Sequence, residues 1–350
     1  VEEHCKHLYP QLAKMGLDVT LSRRRGYVTD NLQSWKGVKL VNLYSPRRKS
    51  LEAIIHTFLS ILQAKKWSAD LVHIHAIGPA LLVPVAKLMG IKVVLTNHGP
   101  DYDRQKWGIL AKGMLRLGEY LGCKYADQVI VISKHIQGIV ESRVGRRGQL
   151  IFNGVEIPSI STETAYLKEI GIEPGFYILA VARLVPEKGL HDLIDSYEMA
   201  PPNCKLVIAG DSDHQSQYAD SLRKRAAENR NIVMPGYVTG SKLSQLYSHA
   251  KLFVLPSYHE GLPISLLEAL SYGLSVLVSD IPANKEIGLE PESYYHVGDI
   301  QELAEGLERK CLEEQDDETR SRTIEWVREK YNWEEISERT LEVYRSVVGA

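Results

Sequence analysis

The stretch "LFVLPSYHEGLPISLLEALSYGLSVLVSD", Leu252 to Asp280, reads as a strand, a loop, a helix and a second strand. Leu252–Leu255 is a short continuous apolar run, as in a strand buried on both faces, and it stops at Pro256-Ser257. Pro263 suits the first position of a helix, because its missing N–H would be an orphan there anyway. A helix is therefore predicted from about Pro263, with Leu266, Leu267 and Leu270 packed around Glu268. "SVLVS" then returns as a strand. This is a βαβ unit, which implies a parallel sheet.

The loop raises a chemical question. Glu260 and Glu268 could be an acid and a base, a metal cage or acceptors that grip hydroxyls. Gly261 lets the backbone approach a ligand closely, and the N–H groups at a helix start attract an anion. Glu268 falls about 7.5 Å along the helix axis. Glu260 lies in the loop on the other side of that anion site. The two carboxylates are thus expected to flank a phosphate, each accepting hydrogen bonds from hydroxyls, rather than to meet each other.

The same alternation runs outward through the chain. In the first half the strand-like runs are "DVTLS", "VKLVNL", "DLVHIHA", "KVVLTN", "DQVIVIS" and "GQLIFNG". In the second half they are "FYILAVA", "KLVIAG", "NIVMPGYV", "LFVLPS", "SVLVS" and "YYHV". The two series meet at the polar stretch "NGVEIPSISTETAYLKEIGIEPG". The expected domains are 1–158, 172–330 and a closing helix at 331–350. The chain opens on a helical face of Val1, Cys5, Leu8, Leu12 and Met15 instead of a strand: either the domain starts on a helix or, the expectation favoured here, a first strand and its loop are missing.

A length of 350 residues exceeds what one core usually fills. The longest uncharged run, Leu71 to Ala86, is too short for a membrane span and is broken by prolines and histidines. Cys5, Cys123, Cys204 and Cys311 have no paired spacing, which argues against a zinc or disulfide framework and fits a reducing cytoplasm. Net charge is −2 but uneven: residues 1–158 carry 23 Lys+Arg against 12 Asp+Glu, and the rest 19 against 32. A basic first half suits an anionic partner such as a phospholipid surface or a phosphorylated acceptor.

In "AVARLVPEKGLHDLI", Ala180 to Ile194, a buried strand ends at Arg183 and a turn leads into a helix. Ligands bind at the carboxyl ends of parallel strands, so Arg183 and Lys188 are placed to hold a diphosphate. No G-x-G-x-x-G follows any strand, which disfavours a dinucleotide dehydrogenase.

"ARLVPEKGLHDLI" together with "HEGLPISLLEALSYGLSVLVSD" resembles the retaining GT-B glycosyltransferases with the E-x7-E motif, the group 1 or family four enzymes. "DLVHIHA", "LTNHGPDYDRQKWG", "VIVISKHI", "IFNGVE" and "YNWEEISERTLEVY" extend the resemblance over most of the chain. It implies an α/β protein of two Rossmann-like domains with a cleft between them, the donor held by the second and the closing helix returning to the first. Arg183 and Lys188 match the diphosphate-binding pair, Glu268 the carboxylate on the ribose and Glu260 the one near the donor hexose. Gly261, Leu262 and Pro263 would add backbone contacts, with the base near Tyr237 and Val238.

His98 matches the histidine beside the transferred sugar, so His98, Glu260, Arg183 and Lys188 are the expected catalytic group. His75, Asp101, Arg104, Ser133 and Asn153 are acceptor-side candidates, while His73 reads as structural. Two departures stand out: the chain begins at "VEEH" without a Gly-Gly loop, and "DSDHQ" after "KLVIAG" lacks a second glycine. "DSD" imitates a metal-binding D-x-D, but the resemblance implies no metal and no cofactor beyond the nucleoside diphosphate sugar as co-substrate.

The expected reaction is retaining transfer of a hexose, UDP-linked, to a hydroxyl acceptor in surface polysaccharide or glycolipid synthesis. The partners would be that donor and a polyprenyl-diphosphate-linked or other membrane-associated acceptor, with no nucleic acid. The expected setting is cytoplasmic, extending to the inner face of the plasma membrane. The rival readings are a sugar-nucleotide epimerase of the same architecture and a non-catalytic sugar-nucleotide-binding protein.

Overall fold

The computed structural model describes residues 1–28, 30–46, 52–100, 102, 108–212 and 216–349. The chain divides into two compact units, 155–330 and 1–154 with 331–350.

In the C-terminal unit the apolar runs form β8 (Tyr177–Val181), β9 (Lys205–Ala209), β10 (Ile232–Gly236), β11 (Leu252–Leu255), β12 (Val276–Ser279) and β13 (Tyr294–Tyr295) when strands are numbered along the whole chain. They pair in parallel in the order β10-β9-β8-β11-β12-β13. That is the doubly wound order, and it reverses direction between β8 and β11. Its core joins Ile178, Ala180, Leu206, Ile208, Leu252 and Val254 of the sheet to Leu190, Leu193, Ile194 and Leu222 of the helices. The helix after β11 spans Ile264–Ser271, with Pro263 as its cap instead of its first residue. Gly273 ends the following turn at φ +70°, where a Cβ would lie 2.8 Å from the Arg320 carbonyl oxygen.

Among the described residues the N-terminal unit holds two sheets. β4 (Leu71–His75), β5 (Lys92–Asn97), β6 (Gln128–Val131) and β7 (Gln149–Leu150) run parallel in chain order. β1 (Thr20–Arg24) pairs in parallel with β3 (Val38–Leu43), whose other edge carries β2 (Ser34–Trp35) antiparallel. β2 is an addition to the predicted strands: it is only two residues long, and its hairpin turns on Lys36 and Gly37 at φ 47° and 84°. The last helix, Trp333–Val348, packs Trp333, Ile336, Val343, Tyr344 and Val347 with Cys5, Leu8, Tyr9 and Leu12 of the first helix, Glu2–Lys14. No helix among the described residues is long and apolar enough to cross a membrane.

Candidate active site

The loops after β8 and β11 meet where the strand order of the C-terminal unit reverses. Gly189 has φ +63°, and a Cβ there would lie 2.0 Å from the Pro256 carbonyl oxygen. Only glycine permits that approach. The backbone N–H of Tyr258 donates to Glu187 O at 3.0 Å, and the Tyr258 hydroxyl donates to Asp192 at 2.5 Å. The Asp192 carboxylate raises the Tyr258 phenol to about 12, with burial adding to the effect.

These contacts bring Lys188 and Glu260 together. Lys188 Nζ donates to Glu260 Oε1 at 2.5 Å, and Ser257 Oγ donates to the same oxygen at 2.7 Å. Both charged side chains are largely buried, 17% and 9% exposed. Lys188 and Glu260 were expected on a phosphate and a sugar separately; the structure joins them as one ion pair. Behind them Ser279 Oγ donates to Ser257 O at 2.5 Å, and Asn284 Nδ2 to Ser279 O at 2.8 Å.

Glu268 is the fifth residue of its helix and accepts a hydrogen bond from the Tyr247 hydroxyl at 3.0 Å. Burial pushes the Tyr247 phenol well above its ordinary value, and the Glu268 carboxylate pushes it further. Arg183 lies two residues past the end of β8, and Pro263 with buried Leu262 enters the helix. Beyond β10, Tyr237 is exposed and Val238 buried.

In the N-terminal unit the strand ends carry histidines. His75 is the last residue of β4, and its Nδ1 lies 3.0 Å from Nε2 of His98, just past β5. His75 Nε2 contacts the Tyr9 hydroxyl at 2.6 Å. His73 is tied to the Tyr344 hydroxyl at 2.6 Å and to Thr96 Oγ1 at 2.7 Å. His4 Nδ1 meets Asn153 Oδ1 at 2.7 Å. Burial lowers all four imidazoles: His4 to about 4, His73 to about 3, and His75 and His98 well below the usual range. All four are neutral at pH 7.

A buried carboxylate supports the His98 turn. Glu119, 2% exposed, accepts from Asn97 Nδ2 at 3.2 Å, from the Tyr102 hydroxyl at 3.0 Å and from Arg143 Nη1 at 3.0 Å. Asn97 Oδ1 in turn accepts the Gly99 N–H at 2.9 Å, closing the turn around His98. Glu119 escaped the sequence reading because its partners lie on other elements. His4 escaped too, although it lies one turn before Leu8 on the packed side of its helix. Ser133 is fully buried and caps the helix Lys134–Val144 by accepting from the Ile136 N–H at 3.2 Å. Asp101 and Arg104, and Asp213 of the "DSD" stretch, lie outside the described residues.

Two parallel-sheet units of this kind define the GT-B class. Sucrose-phosphate synthase from Thermosynechococcus elongatus superposes with a TM-score of 0.82 over 99% of this chain and 93% of its own, at 20% identity. An Anabaena protein solved with UDP and glucose gives 0.74 over 89% and 87%, at 19% identity.

The sequence agrees with that fold. The family described as Glycosyl transferases group 1 matches residues 163–330, and Glycosyltransferase Family 4 matches residues 1–157. Each model covers one half of the sequence, and together they support the glycosyltransferase superfamily for this chain. An uncharacterized glycosyltransferase of Methanocaldococcus jannaschii is 28% identical over 65% of this chain and 62% of its own length. A GDP-mannose:cellobiosyl-diphosphopolyprenol alpha-mannosyltransferase of Xanthomonas campestris is 27% identical over 81% and 75%. A putative teichuronic acid biosynthesis glycosyltransferase of Bacillus subtilis is 25% identical over 67%, and the match spans 58% of its length.

Proposed function

We propose that this protein transfers a hexose, with retention of anomeric configuration, from a nucleoside diphosphate sugar to a hydroxyl acceptor. The observation that carries this reading is the Lys188–Glu260 pair at the strand-order reversal of the C-terminal sheet. An incoming diphosphate would engage Lys188 and Arg183 and draw Lys188 from its carboxylate. Glu260 then becomes an acceptor for hexose hydroxyls, while Glu268 takes the ribose. The N-terminus of the helix Ile264–Ser271 adds a positive dipole end where leaving-group charge builds.

Carboxylates that act on a glycosidic bond as acid and nucleophile flank that bond. Here one carboxylate is paired with a lysine and the other bonded to a tyrosine. The acceptor is therefore proposed to attack on the face from which the diphosphate leaves, without a metal at the donor site. Neutral His98 would donate or accept a hydrogen bond to the transferred sugar, and His75 would support it. Asn153, bonded to His4, and Ser133, the cap of the helix Lys134–Val144, would be further acceptor-side residues.

We assign uridine as the base to test first, on the Anabaena neighbour, against guanosine, on the Xanthomonas relative. A membrane-associated acceptor such as a polyprenyl diphosphate glycan is favoured by the helix Ile109–Tyr125. It exposes Ile109, Leu110, Met114 and Leu117 beside Lys112 and Arg116. Vesicle sedimentation should show binding that rises with anionic lipid and falls with salt; binding indifferent to both would contradict the membrane-associated part of the reading.

The reaction itself is tested by incubating UDP- and GDP-hexoses with hydroxyl acceptors and reading the product's anomeric centre by NMR. Retention is expected, and inversion would refute the mechanism. Conversion of the donor alone into another sugar nucleotide would establish an epimerase instead.

A further inference from the structure

Three imidazoles in the N-terminal unit form a group: His75 and His98, assigned above to the sugar side of the transfer, and His4, which that transfer does not use. His4 comes from the first helix, His75 from the end of β4 and His98 from the turn after β5. One nitrogen from each ring lies within 4.8 Å of the other two. We propose that His4 Nε2, His75 Nδ1 and His98 Nε2 bind one divalent first-row transition ion of the zinc class.

In two of the three rings the nitrogen that would stay off the ion is already held. With Asn153 Oδ1 accepting, Nδ1 of His4 carries its proton and Nε2 presents a lone pair. That Nε2 is buried and has no hydrogen-bond partner among the described residues. It is an orphan of a kind that folded proteins seldom leave without a purpose. His75 has the matching arrangement: the Tyr9 hydroxyl occupies Nε2 and leaves Nδ1 facing His98. Metal-bound histidines are typically oriented by such a bond on the opposite nitrogen.

The spacing also suits an ion. His75 Nδ1 and His98 Nε2 are 3.0 Å apart. Two nitrogens bound tetrahedrally at about 2.0–2.1 Å from zinc sit roughly 3.3 Å apart. Ion entry would replace the hydrogen bond between the two rings, shift the bridging proton to the other nitrogen of its own ring so that each imidazole stays neutral, and draw His4 inward. Three imidazoles favour zinc, copper, nickel or cobalt over magnesium or calcium, which seek oxygen ligands. Neutral rings are the protonation state that ligation requires. The three ligands all belong to the N-terminal unit, and their assignment does not depend on the proposed transfer.

The test is equilibrium dialysis of the full chain against zinc, with bound metal counted by elemental analysis. X-ray absorption at the zinc edge is then recorded on the unmodified, zinc-loaded protein. The expected result is one zinc per chain, with three imidazole nitrogens at about 2.0–2.1 Å. Asn153→Ala should weaken binding by about 10-fold, and His4→Gln by more than that. Failure to retain zinc, fewer than three imidazoles, a sulfur ligand, or a folded His4→Gln protein that binds zinc as tightly would overturn the assignment. The absorption measurement decides the question even where a variant fails to fold.

Discussion

The two units place different electrostatics at the carboxyl ends of their parallel strands. At the carboxyl ends of β8 and β11 the C-terminal unit holds a formal ion pair, Lys188 and Glu260. At the ends of β4 and β5 the N-terminal unit holds neutral imidazoles, His75 and His98, in a hydrogen-bonded group. A phosphate needs fixed positive charge, whereas a sugar hydroxyl needs donors and acceptors that carry none. On the proposed reading the C-terminal unit would grip the anion, and the imidazoles, while no ion occupies them, would meet uncharged hydroxyls.

The largest expected effect comes from breaking the close approach in the C-terminal unit. Gly189→Ala would force a Cβ against the Pro256 carbonyl at positive φ. It should destabilise that unit by about 4 kcal/mol, combining overpacking with backbone strain. Chemical denaturation followed by hydrogen exchange in each unit would show the loss confined to 155–330.

Acid should act on the other unit. The His4 imidazole is lowered from 6.5 to about 4, so the unfolded chain takes up its proton first. Stability from this group is complete above pH 6.5, declines as pH falls and levels off below about 4, a loss on the order of 3 kcal/mol. His73, His75 and His98 act in the same direction. Hydrogen exchange at pH 7 and pH 5 should show the first helix and β4–β5 loosening in acid.

Glu119→Ala is next. It strands the buried polar groups of Asn97 and Tyr102 together with the Arg143 cation, for a loss of about 2 kcal/mol. Because Asn97 shapes the His98 turn, turnover should fall while donor binding by the C-terminal unit persists. Kinetics beside calorimetric titration would separate the two. Tyr9→Phe is the smallest change, removing one hydrogen bond to His75 for about 1 kcal/mol, readable as a drop in melting temperature.

What the sequence revealed follows the range of the interactions. "VKLVNL" and "KVVLTN" coincide with β3 and β5, because each buried run is bounded within a few residues. "GQLIFNG" and "YYHV" shrink to two-residue strands, since apolar character alone does not extend a ladder. The turn after Arg183 was legible in the sequence, yet the contact of its Gly189 with Pro256 depends on two loops meeting. Lys188 and Glu260 stand 72 positions apart, and His4 and Asn153 stand 149 apart. No local periodicity encodes such pairs; they follow from the order in which strands enter the sheet.

The central claim is that the Lys188–Glu260 pair marks a donor diphosphate site. Calorimetric titration of the unmodified chain and Lys188→Ala with UDP and GDP tests it most directly. Binding of one nucleoside diphosphate, weakened at least about 10-fold in the variant as a charge-assisted contact is lost, is the predicted result. Equal affinity in the two proteins, or no binding of either nucleotide, would contradict it.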